Sequence, residues 1–184
     1  NPLASLILQA EVYRLQGMFA QAEPLYLEAI QRLKESLGED SPAVAGAIHN
    51  LAGLYFSQKK MKESKEYYQE ALRRKSRVLG SSHPDTATTL FHLAEVLRME
   101  GQTADAISLL SQSVSALEDS GAGTSPAACR RLSRLSELLL AEVWKVVHLR
   151  GVHLAAYVHL CADESRACRA GQRNVLSRML CCAR

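Results

Sequence analysis

The stretch Ser41–Pro84, SPAVAGAIHNLAGLYFSQKKMKESKEYYQEALRRKSRVLGSSHP, decides the fold, because its features recur on both sides of it at one interval. Pro42, Pro84 and Pro126 are spaced 42 residues apart. In the same phase come Ala10, Ala52 and Ala94, then Tyr13, Tyr55 and Leu97, then Ala22, Ser64 and Ala106. Tyr26, Tyr68 and Leu110 follow, and after them Ala29, Ala71 and Ser113. A self-similar period of roughly 20 to 50 residues marks a stacked array of units, each too small to bury its apolar face alone.

Each unit reads as two helices. From Pro42 to Ser57 the residues Val44, Ile48, Leu51, Leu54 and Tyr55 recur at steps of three and four, which places them on one helical stripe. Ser41 suits an N-cap, and Pro42 a first helical position whose amide hydrogen has no intrahelical partner anyway. Lys59 and Lys60 interrupt the rhythm before Met61, Ser64, Tyr67, Tyr68, Ala71, Leu72, Lys75 and Leu79 resume it, and Gly80 ends it in a left-handed cap. Small residues at Ala52 and Ala71 let the two backbones approach, with Tyr55 and Tyr68 filling the space around them.

This pattern resembles the tetratricopeptide repeat family, and its long period is similar to the kinesin light chain and nephrocystin branch. The resemblance rests on Leu51-Ala52-x-x-Tyr55, the turn before Met61, Tyr68-x-x-Ala71-Leu72 and the Leu79-Gly80-x-x-His83-Pro84 link. It implies an all-α fold, a right-handed α-solenoid of antiparallel helix pairs over residues 1–142. Repeats are expected at about 1–37, 41–80 and 84–120, with a partial fourth over 126–142.

Along the chain, Gly17 and Gly101 mark turns in repeats one and three, and Pro24 is expected in or near the first turn of its helix. Ser108, Ser111, Ser113 and Ser115 lower helix propensity, so repeat three is expected to pack less firmly than repeat two. Ser120–Ser125 reads as a loop. After Leu132, Leu135, Ser136 and Leu139 the register fails, with Val143 in the phase of Gly17 and Gly101. Residues 143–184 are therefore expected to form an atypical terminal helix, from Trp144 onward either continuing or folding back, and a poorly ordered basic, Cys-rich tail.

Charge divides the same way. Residues 1–125 carry 12 Lys and Arg against 15 Asp and Glu, while residues 126–184 carry 10 against 4. The odd cysteine count, with Cys161, Cys168, Cys181 and Cys182 near one end, favours reduced thiols and a cytoplasmic setting. No apolar run approaches the roughly 20 residues of a membrane span. The first residue is Asn rather than Met, which reads as a fragment of a longer protein.

No enzyme constellation is present: there is no Gly-rich phosphate loop, no Gly-x-Ser-x-Gly and no His-Glu-x-x-His. No cofactor and no small-molecule substrate are expected. His148, His153, His159, Cys161 and Cys168 are zinc-ligand types, yet their spacing matches no compact zinc motif. Arg184 in the last position argues against prenylation at Cys181 or Cys182. The basic end lacks the aromatic interleaving of a nucleic-acid surface, so nucleic acid is not expected as a partner.

The resemblance implies a non-catalytic interaction scaffold that holds a peptide segment of a protein partner, acidic in character, in a groove lined by the first helices. The groove set is Arg14, His49, Asn50, Phe56, Phe91, His92, Glu95, Arg98, Arg130 and Arg134, with Glu11 and Gly53 beside them. Family members commonly bind peptide main chain through an Asn in the phase of Asn50, a task suited to an amide that donates and accepts together. Arg130 and Arg134 match phases that clamp a C-terminal carboxylate in one subset of the family. His92 and Gly46 stand where that subset has Asn and Lys, so a complete clamp is not expected. The competing expectation is a structural segment of a longer solenoid with no peptide site of its own.

Overall fold

A computed structural model describes residues 2–150, with side chains for residues 3–145. Asn1–Gly123 and Thr124–Arg184 form two compact units. The first contains α1 (Pro2–Leu15), α2 (Phe19–Leu37), α3 (Pro42–Ser57), α4 (Met61–Val78), α5 (Pro84–Met99) and α6 (Thr103–Asp119). The second contains α7 (Pro126–Arg150). Among the described residues there is no strand.

In the first unit α1 packs on α2, α3 on α4 and α5 on α6; α2 and α4 in turn pack on the helices that follow them, and α3 also touches α1 and α5. The repeated small residues occupy these contacts. Ala10, Ala52 and Ala94, Ala22, Ser64 and Ala106, and Ala29, Ala71 and Ser113 are all 0% exposed. Where a serine takes an alanine phase it bonds the facing backbone: Ser64 Oγ donates to Ala52 O at 3.0 Å and Ser113 Oγ to Ala87 O at 2.6 Å. A buried hydroxyl needs such an acceptor.

The turn inside each pair is the same device three times. Met18, Lys60 and Gln102 amides reach back to Tyr13, Tyr55 and Leu97 carbonyls at 2.8, 3.0 and 2.9 Å, the six-to-one bond that closes a helix end. The residue at the corner has positive φ in each case: Gly17 at 76°, Lys59 at 63° and Gly101 at 80°. Gly38 ends α2 at φ 83° and ψ 162°, outside the left-handed helical region and in one that only glycine occupies readily. N-caps recur as well. Ser41 Oγ accepts from Ala43 N, and His83 Nδ1, in the same phase, accepts from Asp85 N at 3.1 Å.

Two expectations need correction. Pro24 is the sixth residue of α2, in its second turn, where its ring points into an exposed position. The serines do not loosen repeat three: α6 buries Ala106, Leu110, Ser113, Val114, Ala116 and Leu117, and Ser108 and Ser115 lie on its solvent side. Ser111 bonds the Ile107 carbonyl within its own helix.

In the second unit Ser125 caps α7, its hydroxyl accepting from Ala128 N at 3.2 Å. The helix runs without interruption through Val143 to Arg150. A β-branched residue is strongly disfavoured at positive φ, so Val143 does not make the corner that Gly17 and Gly101 make, and the helix continues. The expected tail beyond residue 150 lies outside the described residues. No helix among the described residues is long and apolar enough to cross a membrane.

Candidate functional site

Eight of the ten expected groove residues belong to the first helices of the first unit: Arg14 to α1, His49, Asn50 and Phe56 to α3, and Phe91, His92, Glu95 and Arg98 to α5. At the α1 end, Arg14 Nε donates to Glu11 Oε2 at 2.9 Å and Arg14 NH1 donates to Ser57 Oγ on α3 at 2.9 Å. Tyr26 reaches across from α2 and donates its hydroxyl to Glu11 Oε2 at 2.6 Å. The Arg14 hydrogen bond holds the Glu11 carboxyl below its usual range, against the opposing effect of burial. Burial and then the Glu11 bond push the Tyr26 phenol up, so it stays a donor.

His49 lies deeper than its place on the helix implied. Its Nδ1 is 3.0 Å from Thr89 Oγ1 on α5, and its ring meets Tyr68 edge-on at 5.1 Å and His92 at 5.2 Å. Thr89 uses its one hydroxyl hydrogen on Asp85 O at 3.1 Å, so His49 Nδ1 is the donor to Thr89. Burial, with Lys75 and His92 adding to it, pushes the imidazole down to about 3. His49 is therefore neutral and fastens α3 to α5.

His92 stacks on Tyr68 at 5.8 Å with 7° between the ring planes, and Phe91 meets it edge-on at 5.4 Å. Phe56 is half-buried against Ala52, Tyr68, Leu93 and Val96. Arg98 donates to Glu95 Oε2 through Nε at 3.2 Å and NH2 at 3.1 Å, repeating on α5 the pairing of Arg14 with Glu11 on α1. Asn50 is half-exposed on α3, and its amide makes no hydrogen bond to another described residue.

Arg130 and Arg134 belong to α7, in the second unit. Arg130 is exposed, and Arg134 NH1 donates to Glu137 Oε2 at 2.7 Å. Among the described residues no group of three His, Cys, Asp or Glu side chains is placed to hold a metal. The side chains of His148, His153, His159, Cys161, Cys168, Cys181 and Cys182 lie outside the described residues.

Sequence reasoning treated Tyr68 as filler and missed its polar end. The Tyr68 side chain is 3% exposed, and its hydroxyl makes no hydrogen bond to another described residue. It points at Gly53, where a Cβ would lie 3.4 Å from the oxygen. The signal was present in the phases: Glu11, Gly53 and Glu95 are 42 apart, and so are Tyr26, Tyr68 and Leu110.

The family model for the tetratricopeptide repeat matches residues 3–55 and 43–119. The chain belongs to the tetratricopeptide repeat family. Among solved structures, this tetratricopeptide repeat protein is similar to a variant of a kinesin light chain-like protein from Podosopora anserina with nearly identical TPR-like repeats. That match has 22% identity over 97% of this chain and 91% of the other, with a TM-score of 0.68. BtubC (BKLC) from P. vanneervenii is similar at 21% identity over 93% of this chain and 65% of its own, with a TM-score of 0.67. A second Podosopora anserina structure gives 22% identity, coverage of 97% and 92%, and a TM-score of 0.62. No curated protein matches. The all-α array of antiparallel helix pairs expected from the residues is thus the fold observed, and tetratricopeptide repeats generally mediate protein–protein interaction.

Proposed function

We propose that this chain is a non-catalytic interaction module that holds an extended peptide segment of a protein partner along the face made by α1, α3 and α5. The observation that carries the reading is Asn50, a half-exposed amide with no hydrogen bond to another described residue, on the same helix as Phe56 and between the helices that carry Arg14 and Phe91 with His92. An amide held this way can donate to and accept from one peptide unit of an extended chain, replacing the water it would otherwise bind. The neighbouring aromatic rings supply apolar contact, and Arg14 favours acidic character in the segment. A cytoplasmic setting fits the free, exposed thiol of Cys129. The test is selection of binders from randomised dodecapeptides on the full chain, followed by Asn50→Ala. Affinity should fall about tenfold, the loss of one or two good hydrogen bonds, with the melting temperature unchanged. Unchanged affinity removes Asn50 from the site.

One observation favours a second reading, a structural segment of a longer array. Val12 on α1 is 44% exposed, whereas Leu54 and Val96 in the same phase are 0% exposed beneath their neighbouring repeats. A further helix pair stacked on α1 would bury Val12 in the same way. If the full chain selects no peptide while Val12→Asp disrupts assembly of the parent protein, this second reading holds instead.

A further inference from the structure

Repeat one closes its inner face with three groups: Glu11 on α1, Arg14 one turn later, and the Tyr26 hydroxyl donated from α2 to the Glu11 carboxylate. Repeat three keeps the acid and base as Glu95 and Arg98 but has Leu110 in the tyrosine phase, so it offers no phenol. Repeat two is the reverse. It keeps the phenol as Tyr68 and has Gly53 and Phe56 where the acid and base stand.

The result is a notch. Gly53 is half-exposed, and an added Cβ there would have one neighbour within 4 Å, the Tyr68 oxygen at 3.4 Å. The oxygen belongs to a side chain that is 3% exposed and makes no hydrogen bond to another described residue. The hydroxyl at the tip of this nearly buried residue meets solvent at the notch, so a ligand group that accepts its hydrogen takes the place of water. The charges that act on it are Arg14 first and then its partner Glu11, and two donor side chains stand nearby. Asn50 stands one turn before Gly53 on the same face, and Arg14 extends over α3 to Ser57, one turn after it. His49 has spent its Nδ1 hydrogen on Thr89. Where this protein places a group in the equivalent position itself, that group is a carboxylate.

We propose that the notch formed by Gly53 and the Tyr68 hydroxyl is a subsite for the carboxylate side chain of a Glu or Asp in the bound segment, which supplies from the partner what Glu11 supplies within repeat one. Tyr68 donates to that carboxylate as Tyr26 does to Glu11, and Arg14 lies beside it. A glycine is required because any larger residue would occupy the space the incoming side chain uses. Asn50 then fixes the main chain next to the side chain that enters the notch. The inference rests on the peptide-binding reading above.

The test uses a dodecapeptide selected on the full chain, with each Asp or Glu changed in turn to Asn or Gln. One such change should weaken binding to the native chain about tenfold, as expected for a hydrogen bond to a charged group, and should have little effect on binding to Tyr68→Phe. Tyr68→Phe keeps the ring and removes only an unbonded hydroxyl, so its melting temperature should match the native one. Gly53→Glu places the carboxylate in the notch from within the chain. It should weaken the peptide by a similar factor without lowering the melting temperature. Selected peptides without a required acidic residue, or an acidic residue whose removal costs the same against Tyr68→Phe, overturn the subsite while Asn50→Ala sensitivity leaves the groove standing. Peptide binding indifferent to Asn50→Ala, or no binding at all, overturns both.

Discussion

Tyr26 donates its hydroxyl to Glu11 Oε2 at 2.6 Å, bolting α2 to α1 through a carboxylate that Arg14 also holds. Tyr68, the same residue one repeat later, makes no such bond. Tyr26→Phe should therefore destabilise the chain and Tyr68→Phe should not. A hydrogen bond to a charged acceptor contributes about 1.5–3 kcal/mol, and the partial exposure of Glu11 points to the lower end. Urea denaturation of the two variants, compared through midpoint and slope, checks the contrast. Equal losses would mean the two tyrosines are in equivalent environments.

The same carboxylate has a pH consequence. Glu11 has its folded-state pKa lowered by the Arg14 hydrogen bond. Its contribution is complete above the ordinary carboxylate range and is lost as pH falls through the lowered folded value. Glu11→Gln should be less stable than the native chain at neutral pH, and the gap should narrow in acid. A gap that stays constant down to acid pH would show that packing, not charge, is what Glu11 provides.

Lys59 stands where repeats one and three have Gly17 and Gly101, and it holds φ 63° with a side chain attached. The left-handed region costs a non-glycine residue about 1–2 kcal/mol, so Lys59→Gly should raise stability, by roughly 1 kcal/mol after the loss of backbone restriction in the unfolded chain. Lys59 Nζ lies 6.0 Å from the Phe56 ring centre, a weak contact that offsets little of this gain. Thermal melting of Lys59→Gly against Lys59→Ala checks it, with the alanine variant expected to show no comparable gain.

Ala52 is 0% exposed, and its carbonyl receives the Ser64 hydroxyl. Ala52→Leu forces α3 and α4 apart and strains that bond, with an expected cost of about 1–3 kcal/mol or more. Loss of amide protection in both helices together, read by hydrogen exchange, distinguishes separation of the pair from local repacking around one side chain.

What the residues disclosed in advance was whatever a fixed spacing encodes. Pro42, Pro84 and Pro126 marked helix starts, and the alanines at 10, 52 and 94 marked contacts, because each depends on the unit's own geometry. What stayed hidden depends on which helix arrives from elsewhere. His49 sits on the inner face of α3, but Tyr68 from α4 and His92 from α5 close over it. Lys59 gave no sign of left-handed backbone, since only the surrounding turn imposes it. Ser113 counted as a helix weakener until the Ala87 carbonyl appeared opposite it.

His49 yields the sharpest pH prediction. Burial takes its pKa from 6.5 in the unfolded chain to about 3 in the folded one. Between those values the unfolded chain binds a proton that the native state refuses, so stability falls as pH drops below 6.5 and the loss ends near 3. Well inside that window one extra proton on the unfolded state costs roughly 1.4 kcal/mol per pH unit. His49→Gln keeps a donor for Thr89 Oγ1 without a titrating ring, and should flatten the decline over the upper part of the window. In the native chain the His49 ring carbon resonances should not shift on titration from neutral pH to the onset of acid unfolding. A midpoint near 6.5 would show the ring to be hydrated, taking its proton at Nε2 while Nδ1 still donates to Thr89.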